Sequence, residues 1–183
     1  MKKTIANTTG ALPDPDEDGK SHINVHFNHA ATKLGKMLST YFVASFEHPY
    51  FGPFRCVEGL MLYIKTGCME DRFRKLTGAR AKALYRDLID SKQLTNRHVE
   101  KYDEIQKLAT WAKLVHNPEI MDLFKAAELP FDSYYLFGAG NVPIRPPDGV
   151  IMVNNLNQLR ELVKAGKVPT PLPDEQYEAL RIK

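Results

Sequence analysis

The chain has 183 residues, 43% of them hydrophobic and 26% charged, with a formal net charge of +3. That size fits one domain with a sizeable core and loose ends, and a charge this mild gives no case by itself for a nucleic-acid binder. Two cysteines, Cys56 and Cys68, rule out a disulfide framework and a zinc quartet, so a reduced cytoplasm is the expected home (the infected bacterial host's, should the source be viral).

Met1-Lys2-Lys3-Thr4 opens like a leader, but Ile5 to Gly10 is small and polar, and no later apolar run is long enough to span a bilayer. Residues 1–20 gather Pro13, Asp14, Pro15, Asp16, Glu17 and Asp18 and offer little to bury, which predicts a flexible arm. Ile23 to Phe27 alternates apolar and polar like a short strand. Leu38 to Phe54, rich in rings and broken by Pro49, Gly52 and Pro53, predicts a structured loop or two short strands. Val57, Leu60, Met61 and Ile64 repeat at helical spacing, and Gly67 stands where a helix stops. Further helices are predicted over Glu70–Leu76, Ala79–Ile89, His98–Val115 and Pro118–Ala127. Phe131–Phe137 and Val150–Val153 read as strands, Asn155–Lys164 as an amphipathic helix. Pro169, Pro171 and Pro173 stiffen a connector to a last helix, Asp174–Arg181, with Asp174 as N-cap. The expected fold is mainly α (α+β with a few short strands). It has a single compact domain over residues 21–166, followed by the connector and short helix of residues 167–183.

Glu58 is the first candidate for chemistry. A carboxylate in an otherwise apolar helix costs several kcal/mol unless compensated, and the first turn favours an anion. Either Glu58 serves its own helix, or it faces a cleft. Lys65 stands seven residues on, roughly 10 Å along the axis at ~1.5 Å per residue. That is too far for an ion pair and suits a ligand with phosphate at one end and a reacting sugar carbon at the other. Arg72, Arg74, Lys75, Arg80, Lys82 and Arg86 form a run with no acid among them, either a solvated face or an anion-binding rim. Gly138-Ala139-Gly140-Asn141 lacks the third glycine of a dinucleotide fingerprint and reads as a turn. His22, His26 and His29 do not converge as metal ligands on a strand, so no metal and no cofactor is expected. Ser39 and Cys56 need a base beside them to act as nucleophiles, and the sequence places none.

The order of several short motifs resembles the NADAR (YbiA-like) family. These are Gly35-Lys36-Met37-Leu38-Ser39-Thr40-Tyr41, Phe46, Val57-Glu58-Gly59 with Lys65, Ala81-Lys82-Ala83-Leu84-Tyr85-Arg86, Ala112-Lys113 to Asn117-Pro118-Glu119-Ile120, and Phe137-Gly138-Ala139-Gly140. Together they span roughly residues 23–140. The resemblance implies an α-rich fold and an N-glycosidase that cleaves a ribose–nitrogen bond. Its substrates would be ADP-ribosylated guanine, free or within nucleic acid, or a related ribose phosphate. It makes Glu58 catalytic. Lys65 and Arg86 become phosphate anchors or polarise the leaving group. Ser39, Thr40, Tyr41, Phe46, Lys113, Phe137 and Gly138 become substrate contacts, and Asp103 is a speculative second carboxylate. The chain departs from the family pattern at Thr40 (Asn in the family), Gly59 (His) and Phe137 (Trp), and the family's Asp-Trp pair has only Tyr102-Asp103 as its nearest counterpart. Two other readings stand beside the enzyme: a non-catalytic protein of the same fold that binds ADP-ribose or another nucleotide, and a nucleic-acid or protein interaction module using the Arg72–Arg86 face and the Pro-rich segment. The residues say nothing of oligomeric state.

Overall fold

The computed structural model describes residues 11–181. In chain order they form β1 (Ile23–Asn24), α1 (Lys33–Leu38), β2 (Phe46–His48), β3 (Gly52–Phe54), α2 (Val57–Lys65), α3 (Gly78–Asp90), α4 (Tyr102–His116), α5 (Pro118–Ala126), β4 (Phe131–Asp132), β5 (Tyr135–Phe137), β6 (Val142–Ile144), α6 (Gly149–Lys164) and α7 (Asp174–Glu178). Short 3-10 turns occupy Pro15–Glu17 and Asp71–Lys75. The fold is α+β and mainly helical. Among the described residues the strands occur as pairs: β1 parallel to β4, β2 antiparallel to β3, and β5 antiparallel to β6. Among the described residues no helix is long and apolar enough to cross a membrane.

Helix α2 is the centre because its apolar residues run almost around the cylinder: Val57, Leu60, Met61, Leu62, Tyr63 and Ile64 are all buried. Each such burial contributes about 1.5–3 kcal/mol, far more than helix propensity supplies. Gly67, at φ +71, ends the helix by returning its N–H to the Ile64 carbonyl. Gly59 sets how closely α2 is approached, since a Cβ there would lie 2.5 Å from the Phe73 carbonyl oxygen. The chain after α2 can therefore press Phe73, fully buried, onto the helix. Two apolar clusters result. One surrounds α2; the other joins α1, β1, β4, α5 and α6 through residues such as Leu38, Phe124, Leu156 and Leu159. Helix α4 serves both, giving Ile105, Ala109 and Ala112 to the first and Leu114 to the second.

Several expectations change. Residues 1–10 lie outside the described residues, but 14–20 are fastened rather than loose. Asp14 caps the first 3-10 turn, and the Asp18 carboxylate accepts the backbone N–H of Asn24 (2.9 Å) and Ala31 (2.6 Å). Those acids are anchors, a use composition does not reveal. The predicted strand over Phe131–Phe137 is cut in two because the Asp132 side chain takes the Ser133 N–H and Asn24 takes that of Tyr134, ending the ladder. Val150–Val153 is not a strand but the start of α6. Met152, Leu156 and Leu159 form one helical face against the second cluster, and that burial overrides the β-branched residues' preference. Helix α4 begins at Tyr102, not His98, since Lys101 takes a left-handed φ of +54 and Val99 is spent filling the first cluster. Glu70–Leu76 tightens to a 3-10 turn, and α1 has no counterpart among the predicted elements. Helix α7 is capped at Pro173 rather than Asp174. Nor is the C-terminal segment an appendage: Tyr177 is buried, stacked on Tyr50 and edge-on to His48 and Phe51.

Candidate active site

Glu58 opens the first turn of α2, and its side chain, 13% exposed, lines a cavity of about 500 Å³. That volume suits a nucleoside-sized ligand. Two bonds tie Glu58 to Thr40: its N–H donates to the Thr40 carbonyl (3.0 Å), and the Thr40 hydroxyl donates to its carboxylate (3.0 Å). The Lys82 ammonium stands 3.9 Å from the other carboxylate oxygen. Burial pushes the Glu58 carboxyl above its ordinary value, while Lys82, the Thr40 hydroxyl and Lys65 oppose the rise.

The geometry around this carboxylate follows from close backbone approaches. A Cβ on Gly78 would lie 2.4 Å from the Tyr41 Cα, so only glycine lets the start of α3 rest on the 39–41 loop. One turn later that contact delivers Lys82 to Glu58. From behind, α4 holds the same loop. Lys113, 1% exposed, donates its ammonium to the Ser39 carbonyl (2.8 Å), and Asn117, four residues on, donates to the Ser45 carbonyl (3.1 Å). Burial lowers Lys113 to about 7.

The phenols of Tyr41 and Tyr102 also line the cavity. Both are raised, first by burial. Glu58 is the next cause for Tyr41; Asp148, then Glu58, for Tyr102. They remain neutral donors with aromatic faces at physiological pH. His26 lines the wall too and is lowered to about 4 by burial and by His29, so it is an uncharged imidazole there. Asp148, exposed at the start of α6, completes the charged groups of the lining with Glu58 and Lys82.

Of the residues singled out from sequence, Glu58, Ser39, Thr40 and Tyr41 come together on this wall. Others do not reach it. Lys65 lies with its ammonium over the Tyr102 ring, 4.6 Å from the centroid, and so braces a wall residue. Arg86 is exposed on α3, one turn beyond Lys82, with its charge felt at Tyr41. Phe46 is core, stacked on Phe54. Lys113 is sealed behind the loop and is no substrate contact. Phe137, 64% exposed at the end of β5, and Gly138, at φ +70 in the turn that follows, lie outside the lining. Asp103 is exposed and offers only its carbonyl, to Asn155, so the second carboxylate at the cavity is Asp148. Cys56 is fully buried, and burial raises its thiol, which suits no nucleophile. Among the described residues no three His, Cys, Asp or Glu side chains converge as metal ligands. Lys82 was visible within the basic run; Asp148 was signalled by Pro146-Pro147-Asp148-Gly149 ahead of an apolar period, a helix-start pattern masked by the β-branched residues after it.

Compared with known proteins, the chain matches no family model, no curated protein and no solved structure. The NADAR likeness therefore rests on its short motifs.

Proposed function

We propose that the chain is an N-glycosidase of the NADAR (YbiA-like) kind, hydrolysing a ribose–nitrogen bond in an ADP-ribosylated nucleobase or a related ribose phosphate. The observation that carries this reading is the Glu58 carboxylate, withdrawn from bulk water at a cavity wall and held on one oxygen by Thr40 while Lys82 faces the other.

Cleavage sends the bonding electrons to the leaving nitrogen and spreads positive charge over the ribose C1′ and ring oxygen. An ionised carboxylate in a partly dry cavity stabilises that charge, and its fixed position spares reorganisation. Water then adds its oxygen to C1′; one of its protons passes through Glu58, and the leaving nitrogen finishes with one proton gained. Lys82 favours the charged form of the carboxylate against the burial that disfavours it. Together with Arg86 one turn along, it forms the cationic side toward which a substrate phosphate would turn. The Thr40 hydroxyl holds the carboxylate from the position where the family has an amide. Tyr41 and Tyr102 offer ring faces to the base and hydroxyl donors to its edge.

The test is release of ADP-ribose from ADP-ribosylated guanosine by the wild-type chain and by Glu58→Gln. The expected loss is roughly 10²–10⁴-fold, the range for a positioned acid or base. Equal rates remove the assignment; tight ADP-ribose binding without turnover in the wild type would instead make the chain a binding protein.

A further inference from the structure

Among the described residues Asp148 makes no side-chain hydrogen bond within the fold. It occupies the N-cap position of α6, where an aspartate ordinarily accepts a backbone N–H from the first turn, yet its side chain makes no capping bond. The reason is local: its backbone is already helical, at φ −84 and ψ 0, which turns the side chain off the cap. Among the described residues its carboxylate has neither a hydrogen bond nor an ion pair, although it lines the same cavity as Glu58. The turn that presents it is stiff. Pro146 and Pro147 precede it, the Gly149 N–H closes on the Pro146 carbonyl (2.9 Å), and a Cβ at Gly149 would meet Pro146 at 3.1 Å and the Ser133 carbonyl at 3.2 Å. An exposed carboxylate on a stiff turn at a cavity wall is an acceptor pair that water fills until a ligand's donors displace it.

The wall's charge says which donors. Among the described residues the wall's one cation, Lys82, already faces Glu58, so the Asp148 side carries a negative charge with no counter-ion beside it and disfavours a phosphate. Neutral hydroxyls suit it. Resting on the N-glycosidase reading, we propose that Asp148 binds the 2′,3′-diol of the substrate ribose. The site thus requires a ribosyl group with both hydroxyls free, with any phosphate on the 5′ side toward α3. One carboxylate accepting two adjacent hydroxyls fixes the sugar's rotation, and Glu58 can act only on a C1′ so fixed.

The experiment is calorimetric titration of the full chain with ADP-ribose and with 2′-deoxy-ADP-ribose, in the wild type and in Asp148→Asn, beside the guanosine-release assay. The wild type should prefer the ribo compound by about tenfold or more, the worth of a hydrogen bond to a charged acceptor. Asp148→Asn should bring the two within about threefold, with the deoxy compound bound much as before. An unchanged preference in the variant, or none in the wild type, overturns the assignment while hydrolysis dependent on Glu58 stands. No binding of either compound and no release of ADP-ribose removes the N-glycosidase reading, and the diol assignment with it.

Discussion

Two cavities of nearly equal size lie on different parts of the surface, and only one has the makings of a reaction centre. The Glu58 cavity, about 500 Å³, brings Glu58, Lys82, Asp148, two phenols and an uncharged imidazole to one wall. The other, about 540 Å³, lies between α4 and the Pro-rich connector, lined by Trp111, Val115, Val168, Pro169 and Pro171. Its one buried imidazole, His48, turns Nδ1 inward to accept the N–H of Tyr50 and Phe51. Volume does not separate the two. What separates them is a carboxylate withdrawn from water and held in place: Glu58, with Thr40 on one oxygen and Lys82 facing the other, in the first. The carboxylates lining the second, Glu47 and Asp174, are exposed, and among the described residues its buried His48 leaves Nε2 without a partner.

That contrast breaks most sharply at Glu58. Glu58→Gln should cut turnover roughly 10²–10⁴-fold and yet raise the melting temperature at pH 7. Burial holds the folded-state carboxyl above its ordinary value. Between the ordinary glutamate range and the raised value, the folded chain keeps a proton that the unfolded chain has lost, so stability falls as pH rises through that window. The amide carries no such penalty, and thermal melts at pH 4 and pH 7 should show the variant's advantage only at the higher pH. A melting point lowered equally at both would mean that Glu58 serves the fold. Next in size is Thr40→Val, nearly the same shape without the hydroxyl. Loss of one hydrogen bond to a charged group, about 1.5–3 kcal/mol, should slow turnover at least tenfold with folding preserved; a rate within twofold of wild type would deny Thr40 any part.

Lys113 offers a smaller, sharper test. Its folded-state value, lowered from 10.5 to about 7, means that the unfolded chain holds more protons between those limits, so stability should climb from pH 7 to pH 10. Lys113→Met should flatten that climb in denaturant titrations; an unchanged slope would show the ammonium is not the group responsible. Least of all should come from the other cavity. Trp111→Ala should cost stability, of order 1–3 kcal/mol for a half-buried ring, while turnover stays within twofold. A tenfold loss of activity there would erase the distinction between the two cavities.

Much of the helical frame was legible because period and punctuation agree. Val57, Leu60, Met61 and Ile64 with Gly67 gave α2, and Thr77-Gly78 marked the break before α3. Glu58 stood out for a single reason, a charge in an apolar helix. The rest of the wall is assembled across long sequence distances, with Thr40, Glu58, Lys82, Tyr102 and Asp148 meeting only after packing. Local pattern carries no record of that. Lys65 shows the failure clearly: the axial distance read from spacing places it along the helix but not which way its side chain turns, and the Tyr102 ring captured it. Asp103 and Asp148 show another. Both are acids at the start of a helix, and what distinguishes them is the wall on which each helix begins.

Gly59 limits what helix α2 can carry. The Phe73 carbonyl occupies the space a side chain would need there. Any larger residue at 59 would force the chain at residue 73 outward and empty the pocket that holds the Phe73 ring. The obstacle is main chain, which every amino acid shares, so no exchange of side chain at 73 alone would make the room.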